Sequence, residues 1–458
     1  MKIKFKLFFL LAGILGSCDK DFLDKKSDKA LLIPQRLTEM QALLDNYQLM
    51  NRTPGIGFLS SDDFYITDAG YNAFGTPVER NAYNWAKEIE EGTALLDWNV
   101  PYQHIFYSNV ALEGLDDLTA EDKKEPGWNT ARGTALFFRA YAYFNLLQLF
   151  STPYDPVKAS QLPGVPISVS PKIKQSLIRN SQREGYDLVI KDLLEAAKLL
   201  PVTQQVKTRP DRAAALALLA RNALTMKDYD QAAKYAASSL ELKSTLIDYN
   251  EYSIASVKPF PVVLPNSNAE VLFYAPLLSY SYLSSALTFV DPALYKMYHA
   301  DDLRKGLFFL SRGNNQFTFK GSYAGPINPG STFSGLSVNE VYLISAEAKV
   351  RTGKIQEGVQ DLNKLLEKRW KKGTFKPLNA GTPAEALKIV LEERRKELVG
   401  RDLRWQDLRR LNDDPFFQIT LQRQSNGQVY QLLPGSLRYT FSIPANEIEV
   451  YGWPQNNR

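Results

Sequence analysis

Three adjacent acidic pairs are the first candidates for chemistry in this 458-residue chain: Asp62-Asp63, Asp301-Asp302 and Asp413-Asp414. Two carboxylates flanking a glycosidic bond can hydrolyse it, one as acid and the other as base or nucleophile. Paired carboxylates also cap helices, bind Ca²⁺ or accept hydrogen bonds from sugar hydroxyls. No EF-hand spacing surrounds any pair. Each lies in or near a loop, so capping or solvation is the first reading, sugar binding the second and catalysis the last. His104 and His299 are isolated and read as structural. The single cysteine, Cys18, excludes an intramolecular disulfide and a Cys-based zinc or iron–sulfur centre. No serine carries a nucleophile motif, and no glycine-rich phosphate loop is evident. No cofactor is expected; a structural Ca²⁺ stays open at the acidic pairs.

The aromatic residues carry the stronger functional signal. Phe58, Phe64, Tyr65, Tyr71, Phe74, Tyr83 and Trp85 are interspersed with Asp63, Asp68, Asn72 and Asn81. Sugar rings present a C–H face that stacks on flat aromatic rings, while their hydroxyls need amide and carboxylate partners. A second group is Tyr274, Tyr280, Tyr282, Tyr295, Tyr298 and Tyr323, near Asp302 and Arg304. Many of these rings must simply pack loops onto the scaffold. The leading ligand-binding candidates are Trp85, Tyr71 and Phe74 with Asp63. Tyr280, Tyr282 and Arg304 follow.

Glu392-Glu393-Arg394-Arg395, with Glu397, Arg401 and Arg404, mimics a catalytic cluster. An ion-pair network locking the last helix onto the scaffold is the simpler reading. Glu347, set among small and apolar neighbours, is expected to pair with one of those arginines, because a buried unpaired carboxylate is costly.

The formal net charge is +5. Without Lys2, Lys4 and Lys6 the balance is 52 Lys+Arg against 50 Asp+Glu. Such a chain has no electrostatic footprint for nucleic acid. Those lysines precede an apolar run from Leu7 to Leu15 that is too short to cross a bilayer and reads as a signal-peptide core. Leu15-Gly16-Ser17-Cys18 resembles a bacterial lipobox, with small residues for access to the peptidase and a thiol to take the lipid. Residues 1–17 are therefore expected to be a signal peptide, Cys18 the lipidated first residue of the mature chain and 18–35 a polar tether. Asp19-Lys20-Asp21 resembles the surface-export signal of Bacteroidota-type lipoproteins.

The elements behind these loops are helical. Asp97–Leu118 and Arg132–Phe150 carry helical apolar patterns, the second almost continuously apolar. Ser181 and Glu184 form a capping box, and Pro201 ends the helix that follows. Thr382-Pro383-Ala384-Glu385 opens another helix. Ser337 and Glu340 are expected to cap the helix to Arg351. Two segments repeat: Tyr229, Ala233, Ala236 and Leu240 align with Ile355, Val359, Leu362 and Leu366, after the turns Lys227-Asp228 and Gly353-Lys354. Each is a helix, a tight turn and a second helix, as in a tetratricopeptide hairpin. The helices at 132–150 and 181–200 form a third, with a long inserted loop. The expected fold is mainly α: tetratricopeptide-like hairpins forming a scaffold, with long irregular loops at 51–96, 151–178, 251–335 and 412–458 and minor β.

Several motifs together resemble the SusD/RagB family. They are Arg132 to Tyr143 followed by Leu162-Pro163-Gly164-Val165-Pro166; Ala214 to Asn222 with its hairpin partner; and Gly335-Leu336-Ser337-x-Asn339-Glu340 through Ala348 to Arg351-Thr352-Gly353. Leu391 to Leu398 with Asp407-Leu408-Arg409-Arg410, and Ile443-Pro444-x-x-Glu447-Ile448, complete the set. The ending Trp453-Pro454-Gln455-Asn456-Asn457 departs from the family's usual Gln-Asn-Pro. The resemblance implies a SusD-like N-terminal region over 36–230 and a RagB/SusD-like region over 231–458. It also implies an outer-membrane lipoprotein facing outward and a SusC-type TonB-dependent β-barrel transporter as partner. The ligand it implies is a nutrient, usually a starch-like or other oligosaccharide, in some members a peptide, and no reaction is catalysed. A peptide- or protein-binding scaffold and a glycoside hydrolase are the rival readings.

Overall fold

The structure is a computed structural model that describes residues 34–172, 177–264, 267–284, 286–324 and 332–458. Cys18, the expected leader and nearly all of the expected tether lie outside these residues.

Seven helices follow one another as a packed series. They are α1 (Leu96–Asp117), α2 (Pro126–Phe150), α3 (Gln182–Leu199), α4 (Arg212–Thr225), α5 (Tyr229–Leu242), α6 (Val338–Arg351) and α7 (Ile355–Glu367). Each packs on the next. Helix α2 is buried on every side through its last five turns, as its unbroken apolar sequence requires. Its one deep charge, Arg139, donates to both Asp192 oxygens of α3 at 2.7 and 2.8 Å and to Asn109 of α1 at 2.9 Å. That fork fixes three helices against one another.

The repeat is visible in the backbone as well as in the packing. Lys227 between α4 and α5 has φ 62°, and its aligned residue Gly353 between α6 and α7 has φ 84°. Both tight turns therefore reverse direction through one left-handed residue. Gly358 of α7 sits where a Cβ would lie 2.7 Å from the Ala346 carbonyl, so the second helix of that hairpin can approach only with glycine there. The capping box at Ser181 forms, with Glu184 accepting from the Ser181 N–H at 2.7 Å and Ser181 accepting from the Glu184 N–H at 3.3 Å. Thr382 caps helix α8 (Pro383–Glu397). Helix α9 (Arg404–Leu411) follows.

One expectation is corrected. Ser337 does not cap α6; its hydroxyl bonds Asn339, whose side chain accepts from the Glu340 N–H. Glu340 instead takes the buried Arg221 in a two-point ion pair at 2.6 Å, a long-range contact stronger than a local cap. The boundary at 230/231 falls inside α5, and one apolar core runs from Met40 to Trp453 across it. The expected minor β takes the form of five two-stranded ribbons among the described residues, set in and beside the long loops together with short helices.

Three of those ribbons matter below. Strand β1 (Phe64–Ile66) pairs antiparallel with β2 (Thr288–Val290). Strand β3 (Phe309–Ser311) pairs with β4 (Phe317–Phe319). Strand β5 (Leu421–Ser425) pairs with β6 (Gln428–Leu432) around Asn426 (φ 50°) and Gly427 (φ 77°). Two successive positive φ values give the hairpin turn that matches strand twist, and Asn-Gly is the pair that adopts it most easily.

Glu347 on α6 is fully buried and paired, as expected, although its partners are Arg410 of α9 at 2.5 and 2.7 Å and Arg351 at 3.0 Å. Burial alone would raise its pKa; Arg410 outweighs burial and holds it below the ordinary 4.5. Glu347→Ala leaves Arg410 with Asp407 as its remaining carboxylate and is expected to cost about 3 kcal/mol in equilibrium unfolding at pH 7. The pKa is depressed in the fold, so the wild-type contribution is complete above about pH 4.5 and lost as pH falls through the lower folded-state value. The mutant's deficit should shrink on the same acid limb. A midpoint unchanged at pH 7 would mean that Glu347 is solvated.

Candidate functional site

The ring-bearing loops meet on one side of the scaffold, but most of the expected ligand-binding residues lie beneath its surface. Trp85 is 1% exposed. Its indole N–H donates to the Ser60 carbonyl at 2.9 Å, and the Arg423 guanidinium covers its ring at 4.8 Å. Phe74, Tyr83 and Tyr282 pack edge-on or tilted around one another with centroids 5.8–6.0 Å apart, and all three are buried. Tyr71 is half-buried at the margin of this cluster, 5.6 Å from Phe74, with its oxygen accepting from Asn84 at 2.5 Å. Half-buried Tyr280 donates its hydroxyl to the buried Asp97 carboxylate. Arg304 is wholly buried among Asp302, Glu393 and Glu397. Asp63 is buried against Arg395 at 2.9 Å.

This placement spends Phe74, Tyr282, Asp63 and Arg304 on internal contacts, while Trp85, though buried, lines the base of the cleft described next. The Phe74 and Tyr282 rings are packed on neighbouring rings, and the Asp63 and Arg304 charges are taken by counter-charges. The physical reason lies in the length of the loops. They close over a mixed core in which aromatic rings pack beside aliphatic residues such as Ile56, Leu59, Ile66 and Val78. Tyr71 and Tyr280 keep part of a ring at the surface.

A cavity of about 380 Å³ opens above that core. Its walls are β1, the residues after β2, the start of β5, Asp62 before β1 and Arg395 from α8, with Tyr83 and Trp85 at its base. Tyr65 alternates outward on β1 between the buried Phe64 and Ile66, and its ring lies 5.7 Å from that of its cross-strand partner Phe289. Gln422 and Gln424 alternate outward on β5, while Arg423 points inward and donates to the Tyr83 and Ser61 carbonyls. Thr420 and Asp291 complete the polar rim. Asn426 at the hairpin tip is clamped to Asn72 by two reciprocal amide bonds of 3.2 and 2.8 Å, and its N–H donates to Asp68 at 2.8 Å. The hairpin is thereby held over β1.

Electrostatics ties the floor down. Arg404 reaches both Asp62 oxygens at 2.7 and 3.0 Å, and Arg395 reaches Asp62 at 3.1 Å. Burial works to raise the Asp62 pKa, yet the two guanidiniums hold it well below the carboxylate range. Asp63 moves the other way: burial, with the neighbouring Asp62 charge, raises it despite Arg395. The pair therefore anchors the 61–63 segment to α8 and α9. The other acidic pairs are likewise structural in their visible contacts. Asp302 grips Arg304, Asp413 pairs with Lys227 at 2.5 Å, and the Asp414 carboxylate accepts from the Phe416 N–H at 3.1 Å. His104 is buried with a ring nitrogen 2.7 Å from the Leu49 carbonyl, and burial lowers its pKa to about 4. His299 stacks on Trp370 at 5.1 Å. Among the described residues no group of three or more His, Cys, Asp or Glu is placed to hold a metal ion.

What the arrangement can do is recognise polyols. One partly open ring, two outward amides, a hydroxyl and a fixed carboxylate–guanidinium pair line a cleft of ligand size. Gln422, Gln424 and Thr420 were not anticipated. Their signal was present as the alternating Leu421-Gln-Arg-Gln-Ser425 run ahead of Asn426-Gly427.

Comparison with known proteins agrees with this fold. Residues 21–224 match the SusD-like family described as starch-binding and associating with the outer membrane, and residues 338–448 match the SusD family. The chain belongs to the SusD/RagB family. It is 24% identical over 395 residues to a SusD-like protein P2 of Formosa agariphila, covering 72% of this chain and 74% of the relative. A SusD superfamily protein from Bacteroides thetaiotaomicron superposes with a TM-score of 0.75 at 21% identity, covering 92% of this chain and all of the other. A SusD-like carbohydrate binding protein from Bacteroides vulgatus gives a TM-score of 0.68 at 20% identity, over 92% of this chain and 97% of that one. The surface glycan-binding protein A of Bacteroides fluxus gives 0.69 at 19% identity, over 92% and 99%. The helical fold is thus the SusD-like one, and the family is a carbohydrate-binding family associated with the outer membrane.

Proposed function

We propose that this protein is a cell-surface lipoprotein, anchored through Cys18, that binds an oligosaccharide and passes it unaltered to a SusC-type TonB-dependent transporter. The observation that carries the reading is the cleft between β1 and β5, where Tyr65 stands beside Gln422, Gln424 and Thr420 over a floor fixed by ion pairs. The lipobox at Leu15-Gly16-Ser17-Cys18 supports the anchor, and two or three acyl chains hold a protein on a bilayer where one does not. Affinity comes from one stacking ring and a few hydrogen bonds, so it is modest.

Calorimetry of the mature chain against a panel of oligosaccharides tests the binding role. Tyr65→Ala and Gln422→Ala are expected each to weaken the best glycan about tenfold, equivalent to about 1.4 kcal/mol. Both side chains face outward, so melting should not change. A panel in which only peptides bind would move the ligand class to peptides. Cys18→Ala should abolish acyl labelling in a Gram-negative host and release the protein from the membrane fraction. Co-purification with the barrel encoded nearby tests the partner.

A further inference from the structure

A second cavity, of about 750 Å³, adjoins the polar cleft and shares Arg395 and Ile419 with it. Its character is different. Leu387 and Leu391, one turn apart on α8, face Leu411 of α9 and the Phe416, Phe417 and Ile419 segment. Phe416 is 87% exposed, an unusual setting for a large ring. Its position is built. The Asp414 carboxylate accepts from the Phe416 N–H at 3.1 Å, the Asp414 carbonyl accepts from the Phe417 and Gln418 N–H groups at 3.0 Å, and the Gln418 amide donates to the Asn412 carbonyl at 2.7 Å. The buried charged groups around the cavity are taken by one another, and Glu385, Lys388 and Glu392 stand at its exposed edge. Arg395 and Arg404 hold Asp62 and Asp63, Asp407 holds Arg394 and Arg410, and Lys388 lies 4.0 Å from Glu392. What is left for a ligand is carbon surface, in a volume typical of a small-molecule site.

We infer that the two cavities are halves of one site and that its ligand is a glycan bearing an apolar substituent, an aryl or acyl group on the sugar. The sugar lies in the polar half against Tyr65 and Gln422. The substituent crosses the shared rim at Arg395 and Ile419 and lies against Leu391 and Phe416. A bare oligosaccharide leaves the apolar half wet. This rests on the glycan-binding reading above and names the class of glycan.

Matched pairs test it: oligosaccharides and their 4-nitrophenyl glycosides or feruloyl esters, titrated calorimetrically into the mature protein and into Leu391→Ser and Phe416→Ala. The substituted member of a pair is expected to bind the wild type about tenfold more tightly than the bare sugar. Both variants should bring the pair to within about twofold while leaving the bare sugar's affinity unchanged, with melting checked by circular dichroism. Equal affinities of bare and substituted sugars for the wild type overturn the inference and leave the glycan-binding reading standing. So does an advantage that survives both variants. If 4-nitrophenol or decanoate alone binds as tightly as the conjugate, the apolar cavity is a separate site and the inference fails. If no sugar binds, bare or substituted, the reading above falls and this one with it.

Discussion

Arg304→Ala is expected to be among the most damaging single substitutions in the protein, lowering unfolding free energy by about 3–5 kcal/mol. The guanidinium is fully buried and donates to Asp302 at 2.9 and 2.7 Å, to Glu393 at 2.7 Å and to Glu397 at 3.1 Å. Glu397 is shared with Arg369 at 2.9 Å, and Arg369 reaches Glu270 at 2.7 Å. Lys396 adds a contact to Asp302 at 3.4 Å. The network therefore joins the segment before β3, the Arg369 turn after α7, Glu270 and α8 into one unit. Removing its hub leaves carboxylates in a site water cannot reach. Burial works to raise the Asp302 pKa, but Arg304, with Lys396, holds it below 3.8; without the Arg304 side chain burial is opposed mainly by Lys396 and the Asp302 pKa should rise. Arg304→Lys should recover only part of the loss, because an ammonium cannot reproduce a planar fork on several oxygens. Urea titrations followed by circular dichroism give the comparison. An unchanged midpoint accompanied by lost glycan binding would return Arg304 to the ligand site.

Trp85→Ala is expected to destabilise by about 3–5 kcal/mol, the usual cost of deleting a buried aromatic side chain. The ring fills the space beneath the cleft, and its loss also uncovers Arg423, whose guanidinium lies 4.8 Å over Trp85 and 3.9 Å over Tyr83. Trp85 itself adopts φ 54°, a left-handed conformation that alanine tolerates no better. Glycan binding should fall in this variant because β5 and the 61–66 segment lose their common support. Trp85→Phe, which keeps most of the buried area, should restore both stability and binding. Intact stability with abolished binding would show the indole to be a stacking platform after all.

The hairpin scaffold was legible because its information is local. A residue's helical face is fixed by spacing, so aligning Tyr229, Ala233 and Ala236 with Ile355, Val359 and Leu362 already paired two faces, and the structure adds only the shared left-handed turn residue. Caps at Ser181 and Thr382 were local too. Ser337 was misread because its neighbour Glu340 answers to Arg221, 119 residues away in sequence. The aromatic residues were found as a group but not sorted into buried and exposed. Sequence spacing in the 58–85 loop does not say which rings point inward, and the largest, Trp85, is the one that burial favours most. The Asn426-Gly427 hairpin carried an adequate signal that the long-loop reading passed over.

Residue order alone determined the helical class, the repeated hairpins, the family resemblance and the pairing of Glu347 with an arginine, since each depends on near-neighbour spacing or on the cost of burying one charge. Tertiary structure decided which rings became core and which stayed at the surface, and it brought Tyr65, Arg395 and Gln422 together from three distant segments. Those outcomes depend on how much apolar area each loop must borrow from its neighbours to exclude water, and that sum is defined only once the loops have closed over one another.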